Sequence, residues 1–163
     1  MRIRPTTSLV REALFNILGP AVEGARVLDL FAGTGALGIE ALSRGAAHAT
    51  FVERDAEACR TILRNLAAAR LSDKATVIRG RLPGALDWLE GPLDLIFLDP
   101  PYGAPEGDET LASLAPLLSV DGTVVYEHSS RYNPPERPTG LSVVDERTYG
   151  DTTLTFYRKE EEG

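Results

Sequence analysis

This 163-residue chain holds one cysteine, one tryptophan, one methionine and two histidines. A lone cysteine, Cys59, forms no internal disulfide, and with His48 and His128 so distant from it the three give no metal-ligand spacing. Metal catalysis is not expected. Long apolar runs are absent too: nothing approaches the roughly 18 consecutive apolar residues of a membrane helix, and Met1-Arg2-Ile3-Arg4-Pro5 lacks the apolar core of a signal peptide. The expected location is the cytoplasm. Positive charge is scarce, and a formal net charge of -7 argues against indiscriminate binding of nucleic acid, which is largely electrostatic. The imbalance is uneven, because Arg2, Arg4 and Arg11 against Glu12 leave residues 1–20 at three minus one, or +2. A basic arm on an acidic body suits a selective RNA contact.

What the chain does have, 43% hydrophobic and 25% charged residues, reads as a single domain over residues 1–163, a helical arm at 1–20 and a core at 21–163. Leu9, Val10, Ala13, Leu14, Ile17 and Leu18 recur on one helical face, with N-caps available at Thr6, Thr7 and Ser8 and a stop at Gly19-Pro20. Phe15 falls off that stripe, beside Ser8 and Arg11 on the face expected to be wet, so it is a candidate binding residue. Strands are predicted over 26–31, 48–53, 76–79, 94–98 and 123–127, with helices near 36–43, 56–69, 82–90 and 109–118. This βαβ series predicts an α/β fold, a mostly parallel seven-stranded sheet with helices on both faces. Strands at 141–148 and 152–158, joined at Gly150-Asp151, read as a closing antiparallel hairpin. Between them and the fifth strand, Pro134, Pro135, Pro138 and Gly140 impose a loop. Cys59 belongs with Ile62, Leu63 and Leu66 on a helical stripe and is expected in the core.

Two segments carry chemistry. Asp29-Leu30-Phe31-Ala32-Gly33-Thr34-Gly35, with Gly38 behind it, follows a strand and opens a helix, and Glu53 lies 20 residues beyond Gly33 at the next strand end. Glycines let backbone approach a ligand, and Glu53 can accept hydrogen bonds from ribose hydroxyls. A nicotinamide cofactor calls for a second half-site and a substrate domain, for which the length leaves little room. S-adenosylmethionine needs one nucleoside pocket plus room for a charged amino-acid tail, and Asp29 supplies a carboxylate for its ammonium group. The candidate cofactor residues are Asp29, Phe31, Ala32, Gly33, Thr34, Gly35, Glu53, Arg54, Arg81, Leu82 and Asp99.

The second segment, Asp99-Pro100-Pro101-Tyr102, also closes an apolar run. An exocyclic purine amine is a poor nucleophile because its lone pair is delocalised into the ring. The Asp99 carboxylate and the Pro100 carbonyl can accept its two N–H groups and draw nitrogen toward tetrahedral geometry. Pro101 stiffens the turn, and Tyr102 offers a ring for an extruded base to stack on. Residues 129–140, with Arg131, Tyr132 and Arg137, are expected to overhang the same edge. Candidate RNA contacts are Arg4, Thr7, Arg11, Phe15, Tyr102 and Arg131.

Together, Asp29-x-Phe31-Ala32-Gly33-x-Gly35, Glu53 and Asp99-Pro100-Pro101-Tyr102 resemble the class I, Rossmann-like, S-adenosylmethionine-dependent methyltransferases. Arg4-Pro5-Thr6-Thr7, the stretch from Val10 to Ile17, and that from Ala36 to Ala46 resemble the RsmD family. That resemblance runs to Tyr149-Gly150 and implies methylation of a guanine N2 amine in 16S ribosomal RNA. Two features depart from the pattern. Gly80-Arg81-Leu82 stands where many such enzymes place an acid against adenine, which implies an adenine held by backbone and by Leu82. A glycine-rich segment ahead of Arg-Pro-Thr-Thr is also missing, as expected of a trimmed or partial chain. From the residues alone, an adenine-N6 methyltransferase, an NAD-dependent oxidoreductase and a non-catalytic RNA-binding factor remain alternatives.

Overall fold

The computed structural model describes residues 7–160. Seven strands form one sheet in the order β3-β2-β1-β4-β5-β7-β6. Their bounds are Arg26–Leu30 (β1), His48–Glu53 (β2), Ala75–Arg79 (β3), Leu93–Leu98 (β4), Leu118–Ser129 (β5), Leu141–Tyr149 (β6) and Thr152–Lys159 (β7). The first five are mutually parallel, and β7 pairs antiparallel with β5 and, across the two-residue turn Gly150-Asp151, with β6. The chain order reverses between β1 and β4, which opens a crevice at their carboxyl ends.

The central strands are buried on both sides, so their alternation sorts two cores. Val27, Leu95, Phe97 and Val125 enter one, under α1 (Ser8–Leu18), α2 (Ala36–Ser43) and α3 (Ala56–Ala68). Leu28, Leu30, Ile96, Leu98 and Tyr126 enter the other. Three long helices cover the first face as the periodicity predicts. The second is covered differently: the expected helix at 82–90 is one 3-10 turn, Gly84–Trp88, and that at 109–118 is a short helix, α4 (Glu106–Leu111), plus a 3-10 turn, Ala115–Leu117. Prolines account for the shortening. Pro83 and Pro92 bound the first segment, and Pro116 interrupts the second, where it lacks the N–H a continuous helix needs.

The first helix is also turned from its expected orientation. Thr7 caps it, its Oγ1 accepting the Val10 N–H at 3.2 Å. Leu9 lies 69% exposed, whereas Phe15 is buried to 1%. The Phe15 ring meets Phe97 edge-on at 5.8 Å, and the Arg44 guanidinium lies over it at 5.1 Å. A phenyl ring buries more area than a leucine and adds aromatic geometry, so the helix rolls to seat it. Val10, Leu14 and Phe15 thus frame the buried arc, and Arg11, which lies within that arc, faces the crevice. This corrects the reading of Phe15 as an RNA contact: its ring is core. Phe15→Ala is therefore expected to lower the unfolding free energy by about 3–5 kcal/mol, measured by urea denaturation.

Candidate functional site

The loop after β1 is shaped by Phe31, whose φ of 57° lies in the left-handed region that a residue with a Cβ seldom enters. That turn sends Ala32 and Gly33 toward β2, where the Ala32 N–H donates to the Val52 carbonyl at 3.1 Å. Glu53 then fastens the loop. Its Oε1 accepts the Gly33 N–H and its Oε2 the Asp55 N–H, each at 2.9 Å. Asn65 of α3 adds a contact that no motif signals, donating from Nδ2 to the Thr34 carbonyl at 3.0 Å. Glu53 therefore both lines the site and builds it.

Asp29 points into the first core and is 2% exposed. Its Oδ2 accepts the Gly38 N–H at 2.9 Å. Only glycine allows this approach, since a Cβ at position 38 would lie 2.4 Å from the Phe51 ring and 3.1 Å from Asp29 Oδ2. Desolvation is the main cause that pushes the Asp29 carboxyl up to about 7, opposed by the Gly38 bond and reinforced by Glu53 and Glu127. A cation at this position would restore the ionised form.

At the neighbouring strand end the Asp99 N–H donates to the Leu30 carbonyl at 3.4 Å, joining the two loops. Beyond it the chain turns back, with the Ala104 N–H on the Pro101 carbonyl at 3.1 Å, and leaves Tyr102 62% exposed. Asp99, Pro100, Pro101 and Tyr102 share one cavity of about 960 Å³ with Asp29, Phe31, Ala32, Gly33, Thr34, Glu53, Arg54, Arg81 and Leu82. Gly35 does not line it and lies instead beneath Ile62 and Ile39 of the covering helices.

The candidate RNA contacts scatter. Arg11 lines the cavity, its Nε 3.8 Å from Glu40, while Thr7 caps α1. Arg131 is exposed but lines no part of the cavity, and none of residues 129–140 does. Within that segment the Pro135 carbonyl accepts the Tyr157 hydroxyl at 2.8 Å. Arg4 lies outside the described residues. The cavity also takes in Glu106 and Glu109 of α4, which sequence reasoning missed: Glu106 fell outside the expected helix, and no motif set Glu109 apart within it. Five acids, Asp29, Glu53, Asp99, Glu106 and Glu109, thus face three arginines, a balance that favours a cationic ligand.

Comparison with known proteins gives a consistent picture. The family model described as Conserved hypothetical protein 95 matches residues 1–158. The chain is 42% identical to YlbH of Bacillus subtilis over 161 residues, which is 96% of this chain and 88% of that protein. It is 35% identical to ribosomal RNA small subunit methyltransferase D of Escherichia coli, over 99% of this chain and 82% of the relative. Among solved structures, yhhF of Escherichia coli superposes with a TM-score of 0.87 at 34% identity, covering 98% of this chain and 89% of that one.

The Asp29 environment sets a stability test. Its folded pKa near 7 exceeds the ordinary 3.8, so the folded state holds a proton that the unfolded state releases. The ligand-free protein then loses stability from Asp29 as pH rises from about 4 through 7, by up to about 1.4 kcal/mol per pH unit. Asp29→Asn is expected to melt higher than the parent at pH 8 and close to it near pH 4, measured by thermal unfolding without ligand.

Proposed function

This chain belongs to the RsmD family, which includes ribosomal RNA small subunit methyltransferase D, and we propose that it methylates the N2 amine of a guanine in 16S ribosomal RNA from S-adenosylmethionine. The observation that carries this reading is the sharing of one acidic cavity by the Gly33 loop and Asp99–Tyr102. The residues fit the donor. Asp29 receives the ammonium of the methionine portion, and Arg11, half-buried at the same wall, receives its carboxylate. Glu53 has acceptor capacity beyond its two backbone bonds for the ribose hydroxyls. Leu82, Pro83 and the Gly80 backbone form the wall for adenine.

When bound, S-adenosylmethionine supplies an electrophilic methyl on a sulfonium leaving group. The chain's own task is to bring an amine to it. Pro100 accepts one N–H through its backbone carbonyl and Asp99 the other through its carboxylate, so the nitrogen lone pair turns out of conjugation. Asp99 takes the proton that the methylated amine releases. Tyr102, exposed at the rim, stacks on the target base once it leaves its helix. Positioning contributes most of the acceleration, because the leaving group is already good. A ribosomal RNA substrate supports a cytoplasmic location for this activity.

Labelled methyl transfer into small-subunit RNA tests the assignment. Asp99→Ala is expected to abolish transfer while changing the equilibrium affinity for S-adenosylmethionine by no more than about threefold. A large loss of affinity would reassign Asp99 to donor binding. If Asp29 holds the ammonium, donor affinity should weaken by up to about tenfold per pH unit between pH 7 and 5, read by calorimetry. A flat profile would remove Asp29 from that role.

A further inference from the structure

The loop from Asp99 to Gly107 is closed at its far end by α4, and one carboxylate fixes that helix. Asp108, half-buried in the first turn of α4, accepts the Tyr126 hydroxyl on Oδ1 at 2.9 Å and the Tyr132 hydroxyl on Oδ2. Burial first, then the bond to Asp108, raises both phenols above their ordinary range, so each stays a donor at physiological pH. Bonds to a charged acceptor are shorter and stronger than neutral ones.

The two tyrosines come from different places. Tyr126 lies on β5, 3% exposed, and pairs in register with Leu98, the residue before Asp99. Tyr132 lies in the segment after β5, its ring edge-on to His128 at 6.0 Å. His128 is edge-on to Tyr126 at 5.3 Å and bonds Thr155 of β7 through Nε2 at 2.7 Å. Gly107, next to Asp108, is buried against Pro100. A Cβ there would lie 2.6 Å from Pro100 Cγ and 2.7 Å from the Tyr126 oxygen. The Tyr126 hydroxyl, Asp108 and Gly107 thus form one packed contact on the back of the Pro100 ring.

We propose that Asp108 is a positioning residue for methyl transfer: by bridging the Tyr126 and Tyr132 hydroxyls it holds α4 against Pro100 and fixes the spacing of the Pro100 carbonyl from the Asp99 carboxylate. This rests on reading Asp99–Tyr102 as the amine site. None of the three bridged residues lines the cavity, so they act through Pro100 rather than on substrate. The donor cradle is built from β1, β2, α2 and α3, and no residue of the bridge takes part in its bonds. Loss of the bridge should therefore slow turnover and spare donor binding.

The test compares the parent, Asp108→Ala, Asp108→Asn and the double variant Tyr126→Phe/Tyr132→Phe. Readouts are kcat and KM for labelled methyl transfer, equilibrium affinity for S-adenosylmethionine, and hydrogen exchange of the amides from Gly103 to Gly107. Asp108→Ala is expected to lower kcat by about 10- to 100-fold, with KM and donor affinity within about threefold. Asp108→Asn, which keeps one acceptor, should recover part of the loss, and the double variant should reproduce it with the carboxylate intact. Exchange in the loop should quicken by about tenfold or more in the alanine and double variants. A folded Asp108→Ala with kcat within about twofold of the parent overturns the proposal, as does a parallel loss of donor affinity. If the alanine variant fails to fold, the double variant decides by the same criteria. A parent that transfers no methyl group contradicts the assigned reaction instead, and the exchange comparison then decides the bridge, unchanged loop exchange overturning it.

Discussion

The parallel pairing of β1 with β4 is the constraint on which the rest of this molecule depends. Leu30 and Leu98 are paired partners at the strand ends, and one step further the Asp99 N–H reaches the Leu30 carbonyl. Two loops that are 70 residues apart in the chain, counted from Asp29 to Asp99, are thereby held along one edge. The geometry follows from chain order. Because the sheet runs outward from β1 in one direction and from β4 in the other, the covering elements diverge and leave the crevice between them. Apolar residues on both faces bury the two strands almost throughout.

Against that apolar background, the burial of Asp29 is costly. Its carboxylate has one backbone partner, Gly38, and lies among Phe51, Leu37 and the sheet. A sequence chosen for stability alone would place an apolar residue here. Functional sites commonly carry such a violation of local rules, offset elsewhere by the surrounding packing. On the proposed reading, the carboxylate whose burial costs stability at neutral pH is the one that meets the ammonium of the donor.

Much of this was legible in the residues, and what was not has physical causes. The β1 and β4 loops could be read because each ends an apolar run with residues that make poor strands, Gly33 and Gly35 in one and Pro100 and Pro101 in the other. Phe15 was misread because a helical wheel scores which residues are apolar and not which fits best. Phe97, on a strand more than 80 positions away, decides that contest and turns Leu9 outward. The second face was misread because short 3-10 turns have no hydrophobic period of their own, and their register is set by Pro83, Pro92 and Pro116. Asn65 and the bridge at Asp108 are set entirely by tertiary contact. Nothing in the local pattern distinguishes Asp108 from Glu106 and Glu109, which share its turn but face the cavity.

The atom that is methylated is the deciding point, since Asp99 and the Pro100 carbonyl would receive either purine amine. Mass spectrometry of nucleosides from 16S ribosomal RNA, incubated with the protein and a deuteromethyl-labelled donor, reads that atom directly. The expected result is label in N2-methylguanosine, lost in Asp99→Ala. Label in N6-methyladenosine, or no label with folded protein that binds the donor, would contradict it.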